Sequence, residues 1–261
     1  MARHIPGPLY FEQQGASGIP MLFLHSTPDD HRLWMFQTAH FSAWYRCIAV
    51  DFAGYGRSPP PQAGVRIVDQ ADACWEAVDR ITSGGIIIHG NSMGSMVARV
   101  MAAQRPERTR ALIISGCAYQ PERSQMKEWG ERFRKEGLKL RREQILYHFA
   151  PANRDRPFMQ WYADMLCALD NVATVDSIVA MNDALQYTHP AEFGAGITAP
   201  SLLISGSADR NHPNAVELAR RIKGCEYQVI EGAGHSSMLE SPWEFDRYCI
   251  EFLKKHGLFP G

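Results

Sequence analysis

The chain has 261 residues, 45% of them hydrophobic, enough to bury one large core as a single domain with room for an insertion. Lysine and arginine total 27 against 28 aspartates and glutamates, and the net charge of -1 leaves no electrostatic footprint for a nucleic-acid backbone or an anionic membrane. The six cysteines, Cys47, Cys74, Cys117, Cys167, Cys225 and Cys249, form no C-x-x-C pair and no zinc spacing, so reduced structural thiols are expected.

Taken in chain order, residues 1–8 carry no apolar run of the kind that opens a secretory leader. The apolar stretch 19–24 is far shorter than the roughly 20 residues of a membrane span. A cytoplasmic location is the expectation. Short apolar runs at 21–25, 47–50, 86–89, 111–115, 202–205 and 227–230 read as buried strands. Between them, Ile67, Ala71, Cys74, Val78 and Ile81 recur at spacings of four and three, which puts them on one stripe of a helix packed against a sheet. Val97, Met101 and Ala102 repeat that pattern. Alternating strands and helices of this kind build an α/β fold with a mostly parallel sheet covered on both faces.

One interval breaks the rhythm. Residues 119–189 are too many for a single crossover helix and show helix formers and aromatics but no strand, so they read as a helical insertion. Glu128 with Arg132 and Glu131 with Lys135 sit four apart, a spacing expected to give weak ion pairs on a solvated helix face.

Gly90-Asn91-Ser92-Met93-Gly94 follows the 86–89 strand directly and opens a helix. A serine at such a turn is forced into a strained backbone that lifts its hydroxyl above the sheet edge, and the flanking glycines prevent collisions with neighbouring backbone. The free N–H groups at the helix start suit a developing negative charge. A serine hydroxyl needs a base. Among ten histidines the best placed is His235, in the glycine loop Gly232-Ala233-Gly234-His235 just after the last strand. His89 ends a buried strand, while His4, His31, His148 and His256 lack a comparable setting, and His25 reads as a loop-shaping residue. The base in turn needs a carboxylate to hold its tautomer. Asp209, directly beyond the 202–205 strand, is the candidate, whereas Asp51 belongs to a turn and reads as a capping residue.

The order Ser92, Asp209, His235, together with the turn Asp51-Phe52-Ala53-Gly54-Tyr55-Gly56-Arg57-Ser58 and Gly234-His235 with Leu239-Glu240-Ser241-Pro242, resembles the α/β-hydrolase family over essentially the whole chain. The resemblance implies an α/β-hydrolase fold, with residues 1–118 and 190–261 as core and a helical cap at 119–189, inserted after the sixth strand. His25-Ser26-Thr27-Pro28 resembles the family's H-G-x-P loop, which implies an oxyanion hole made by the backbone N–H groups of Thr27 and Met93. Ser26 departs from the family's glycine.

The reaction expected from these residues is hydrolysis of an ester, thioester or lactone through an acyl-enzyme on Ser92, acting on a small molecule and calling for no metal or organic cofactor. Family branches that open halides or epoxides use an aspartate nucleophile, and the hydroxynitrile lyase branch carries a lysine after the histidine, where Ser236 stands here. Carbon-carbon bond hydrolases of ring-cleavage products share the G-N-S-M-G elbow and form the alternative, although their glycine-rich oxyanion loop and a tryptophan after the histidine are not matched. A cofactor-free dioxygenase or a non-catalytic receptor are further alternatives. Trp129, Tyr147, Phe149, Trp161, Tyr162, Met165 and Met181 are candidates either for the pocket wall or for the insertion's own core, and Trp34, after the oxyanion loop, is a further candidate for the wall.

Overall fold

The computed structural model describes residues 4–117, 123–168, 173–187 and 196–260. Among these residues seven strands form one sheet: β1 (Phe11–Gln14), β2 (Pro20–Leu24), β3 (Arg46–Val50), β4 (Ile86–Asn91), β5 (Thr109–Ser115), β6 (Ser201–Gly206) and β7 (Glu226–Ile230). Their order is β1-β3-β2-β4-β5-β6-β7, with β1 antiparallel to β3 and every other pairing parallel.

The apolar runs are nearly continuous because both faces of the sheet are covered. Along β2, Leu22 and Leu24 face one half of the core while Met21 and Phe23 face the other; β5 repeats this with Leu112 and Ile114 against Ala111 and Ile113. On the first face pack α2 (Ile67–Asp79), α3 (Met93–Gln104) and α8 (His212–Arg221); on the second pack α1 (Met35–Phe41), the short α9 (Ser237–Glu240) and α10 (Pro242–Lys255). The expected stripe of α2 is buried at Ile67, Ala71, Cys74 and Val78, and Ile81 packs against the same cluster just beyond the helix.

Among the described residues, four α-helices lie between β5 and β6: α4 (Arg123–Glu136), α5 (Leu140–Tyr147), α6 (Pro157–Ala168) and α7 (Val175–Tyr187). They follow the fifth strand, not the sixth, because a single strand precedes β2 among the described residues. That strand, β1, has no counterpart in the sequence reading. It is a four-residue, half-exposed edge strand held by main-chain pairing to β3, so it lacks a buried apolar face to betray it. The expected boundaries at 118/119 and 189/190 fall outside the described residues. The ion pairs also differ: Arg132 pairs with Glu136 and Glu143 at 2.9 and 2.8 Å, and Glu131 pairs with Lys127.

These helices are tied to loops at the carboxyl ends of the strands. Arg141 Nε donates to Pro28 O at 3.1 Å, Tyr162 donates to Asp29 Oδ1 at 3.0 Å, and Ser177 donates to Gly54 O at 3.1 Å. Burial would raise the Asp29 carboxyl, but neighbouring His148 and the Ser26 hydroxyl outweigh it and hold the group below the usual carboxylate range.

Candidate active site

The turn from β4 to α3 is built around Ser92, whose φ of 55° and ψ of -115° make it the one non-glycine residue with positive φ among the described residues. Strain of this kind costs on the order of 1–3 kcal/mol and needs fixed surroundings. Here Ser92 N donates to Ser115 O at 2.9 Å, while its carbonyl accepts from Ser95 N at 2.9 Å and from Ser95 Oγ at 2.6 Å. A Cβ at position 90 would strike the Gly94 carbonyl and one at position 94 would strike the Leu24 carbonyl, so both glycines are required by close backbone approach. With its amide nitrogen facing them, Asn91 donates to Ser115 O at 3.1 Å and His235 O at 3.3 Å, which links the elbow to the histidine loop.

That loop leaves β7 and returns His235 to the same edge. His235 N donates to His148 O at 2.8 Å, and a Cβ at Gly234 would collide with the Ala150 amide nitrogen. Buried Glu240 accepts from Gly234 N at 2.8 Å, Ala150 N at 3.1 Å and Asn153 Nδ2 at 2.6 Å, knotting the loop to residues 149–153. His235 Nδ1 donates to Asp209 Oδ2 at 3.0 Å and lies 3.2 Å from Oδ1. Asp209 also accepts from Asn211 N at 2.9 Å. Burial pushes the Asp209 carboxyl up, but the charge and hydrogen bond of His235 and the Asn211 amide prevail and keep it below its usual range.

Ser92, Met93, Thr27 and His235 line one cavity, which encloses about 570 Å³ of space not filled by atoms, its open mouth included. Met93 begins α3, so its N–H has no acceptor within the helix. Thr27 Oγ1 lies 2.7 Å from the Tyr55 hydroxyl, which fixes the loop at that residue. The preceding His25 shapes the loop as expected: Nδ1 contacts Ser26 O at 2.8 Å and Nε2 accepts from Phe52 N at 2.9 Å, and burial holds its pKa below the usual value. Ser26, in place of glycine, donates its hydroxyl to Asp29. Asp51 serves its turn, accepting from His31 N and Arg57 N, each at 2.8 Å.

Of the aromatic candidates, Trp129 lines the Ser92 cavity, and Tyr147 and Phe149 line a neighbouring one. Trp34, Tyr162 and Met181 are core residues, Trp161 is half exposed, and Met165 contacts Arg32 through its sulfur. Several wall residues escaped the sequence reading. His148 borders both cavities with its ring 4.8 Å from that of His235, and Gln125, Gln144 and Arg210 line the Ser92 cavity. His148 sits after α5 with no glycine loop or strand end to mark it; its neighbours come from distant parts of the chain. Burial lowers its pKa to about 4, so it is neutral at pH 7.

Asp30, His31 and Asp51 form the one group of cation-binding geometry among the described residues. Asp30 is already neutralised by Arg32 at 2.5 Å, and His31 Nδ1 is bonded to Asp51 at 2.8 Å, so these atoms satisfy one another. No helix among the described residues is long and apolar enough to cross a membrane.

Residues 19–242 match the model of the alpha/beta hydrolase fold family. The chain is 24% identical over 262 residues to the (E)-2-((N-methylformamido)methylene)succinate hydrolase of Acinetobacter baylyi, covering 94% of this chain and 93% of that protein. It is 27% identical over 224 residues to the 2-hydroxy-6-oxononadienedioate/2-hydroxy-6-oxononatrienedioate hydrolase of Cupriavidus pinatubonensis, covering 81% and 77% of the two chains. The enol-lactonase of Burkholderia xenovorans superposes with a TM-score of 0.88 at 21% identity, over 96% of this chain and 98% of that one. The sheet order, the elbow at Ser92 and the match over most of the length lead to one conclusion: this chain belongs to the α/β-hydrolase family.

Proposed function

We propose that the chain is a serine hydrolase that cleaves a carboxylic ester, thioester or lactone of a small molecule through an acyl-enzyme on Ser92. The observation that carries this reading is that strained Ser92 lines the same cavity as His235, whose Nδ1 is held by Asp209 at 3.0 Å. In the reaction, Ser92 Oγ bonds to the acyl carbon while its proton passes to His235 Nε2, and Asp209 stabilises the imidazolium. The carbonyl oxygen, now an oxyanion, is held by the N–H groups of Thr27 and Met93, each contributing about 3 kcal/mol. Collapse breaks the carbon–oxygen or carbon–sulfur bond, and the leaving group takes the proton from His235. Water then attacks the acyl carbon, gives its proton to His235, and releases the acid as Ser92 recovers the proton. Residues 119–189 act as a cap over this cavity, and residues 1–118 and 190–261 as the core.

A small fluorophosphonate tests the reading by intact mass. A single adduct on the native chain that is absent from Ser92→Ala is the expected result; no adduct on folded protein overturns it. The alternative, carbon-carbon hydrolysis of a vinylogous diketone, has two supports: the Gly90–Gly94 elbow and the likeness to the Cupriavidus pinatubonensis hydrolase. Turnover of such diketones with no ester or lactone cleaved would favour it.

A further inference from the structure

Arg210 follows Asp209 in sequence and borders both the Ser92 cavity and the neighbouring cavity lined by Tyr147 and Phe149. Its guanidinium lies over the Tyr147 ring, 4.4 Å from the centroid. Arg154 approaches the same ring at 5.4 Å, but its donors reach the carbonyls of Phe149 and Tyr147 at 3.2 and 3.4 Å. Arg210 is different: its Nε is buried without a hydrogen-bond partner, and no ion pair to it is found among the described residues. The nearby Asp209 carboxylate spends its hydrogen bonds on His235 and the Asn211 amide, and acts on Arg210 only through its charge.

Among the described residues lining the Ser92 cavity, Arg210 is the one permanent cation, and there is no carboxylate. His148, the other basic group beside it, is held neutral by burial. A guanidinium is always charged and presents donors in a fork that matches a carboxylate, and its contact with the Tyr147 ring holds that fork beside the cavity. Gln125 and Asn211 add neutral polar groups to the same wall.

We propose that Arg210 is a specificity-determining residue that takes a carboxylate of the substrate, so that the preferred substrates are esters or lactones bearing a free carboxylate apart from the scissile carbonyl. The substrate class rests on the serine hydrolase reading above; the carboxylate site does not.

The test compares mono-p-nitrophenyl glutarate, which carries the carboxylate on the acyl side, with neutral p-nitrophenyl valerate. A third ester, 3-carboxy-4-nitrophenyl valerate, carries it on the leaving group. One of the two anionic esters is expected to exceed the neutral one in kcat/KM by about tenfold or more. Arg210→Met should abolish that preference mainly through KM, and Arg210→Lys should restore part of it, with circular dichroism checking that both variants fold. No preference in the native protein, or an equal loss on all three esters in Arg210→Met, overturns the proposal. If none of the esters is turned over, the hydrolase reading fails separately, and calorimetry of glutarate binding to Ser92→Ala decides the site. Binding weakened about tenfold by adding Arg210→Met sustains it; absent or unaltered binding overturns it.

Discussion

The rings of His148 and His235 lie 4.8 Å apart, and the His148 carbonyl accepts the amide hydrogens of both His235 and Ser236, at 2.8 and 3.2 Å. The end of α5 therefore supports the histidine loop through its backbone, while the His148 side chain fills the space between His235 and Asp29, 3.8 Å from the Asp29 carboxylate. His148→Leu keeps the main-chain anchor and removes the ring. Steady-state kinetics on the best available ester should show kcat reduced by about one to two orders of magnitude, the cost of a misplaced base. Unchanged kcat would mean that the backbone anchor alone orients His235.

Ser92 couples strain to chemistry. Ser92→Gly removes the hydroxyl together with the penalty for positive φ, so it should abolish turnover while raising stability in urea by about 1 kcal/mol. A less stable Ser92→Gly would show that the elbow is relaxed.

Glu240 is buried and accepts from three donors, two of them backbone amides. Burial pushes its carboxyl above the usual range, and the three donors only partly offset that. Glu240→Ala would leave those donors unpaired, at a cost of roughly 3 kcal/mol or more in urea unfolding. Glu240→Gln, which retains an acceptor, should lose less. Equal losses in the two variants would contradict this account.

The buried histidines set the acid limb of stability. Burial lowers the pKa of His25, of His148 to about 4 and of His89 to about 3, while the unfolded chain binds protons near 6.5. The unfolded state therefore gains protons first, and stability present above pH 6.5 is lost progressively as pH falls towards 4. His89 is the clearest case, since both ring nitrogens lack partners and its neighbours are Phe23, Trp34, Phe41 and Phe245. Melting temperatures across this range should fall less steeply in His89→Phe than in the native chain. Identical slopes would place the sensitivity at the other histidines.

Much of the fold was legible because a parallel sheet covered on both faces demands apolar runs, and β2 to β6 supply them between amphipathic helices, whereas the edge strand β7, expected to be buried, is buried only at Ile230. The same logic located the ends of β4, β6 and β7, and parallel strands send those ends, with Ser92, Asp209 and His235, to one edge. Glycines at 90 and 94 marked close backbone approach, whereas at Gly234 the close approach to Ala150 arises from the fold. By itself, then, the sequence determined strands β2 to β7, their alternation with helices and the residues at their carboxyl ends, since these depend on local periodicity and chain reversal.

The tertiary structure decided what stands around them. Glu240 braces Ala150 from 90 residues away, Asp29 meets Tyr162 across 133, and the short edge strand β1 exists through its pairing with β3. Whether Trp129 or Tyr162 faces the cavity depends on how α4 to α7 pack, which helical spacing alone leaves open. Arg210 illustrates the limit. Its position after Asp209 is plain in the sequence, but the approach of its guanidinium to the Tyr147 ring comes from elements 63 residues apart, brought together only by folding.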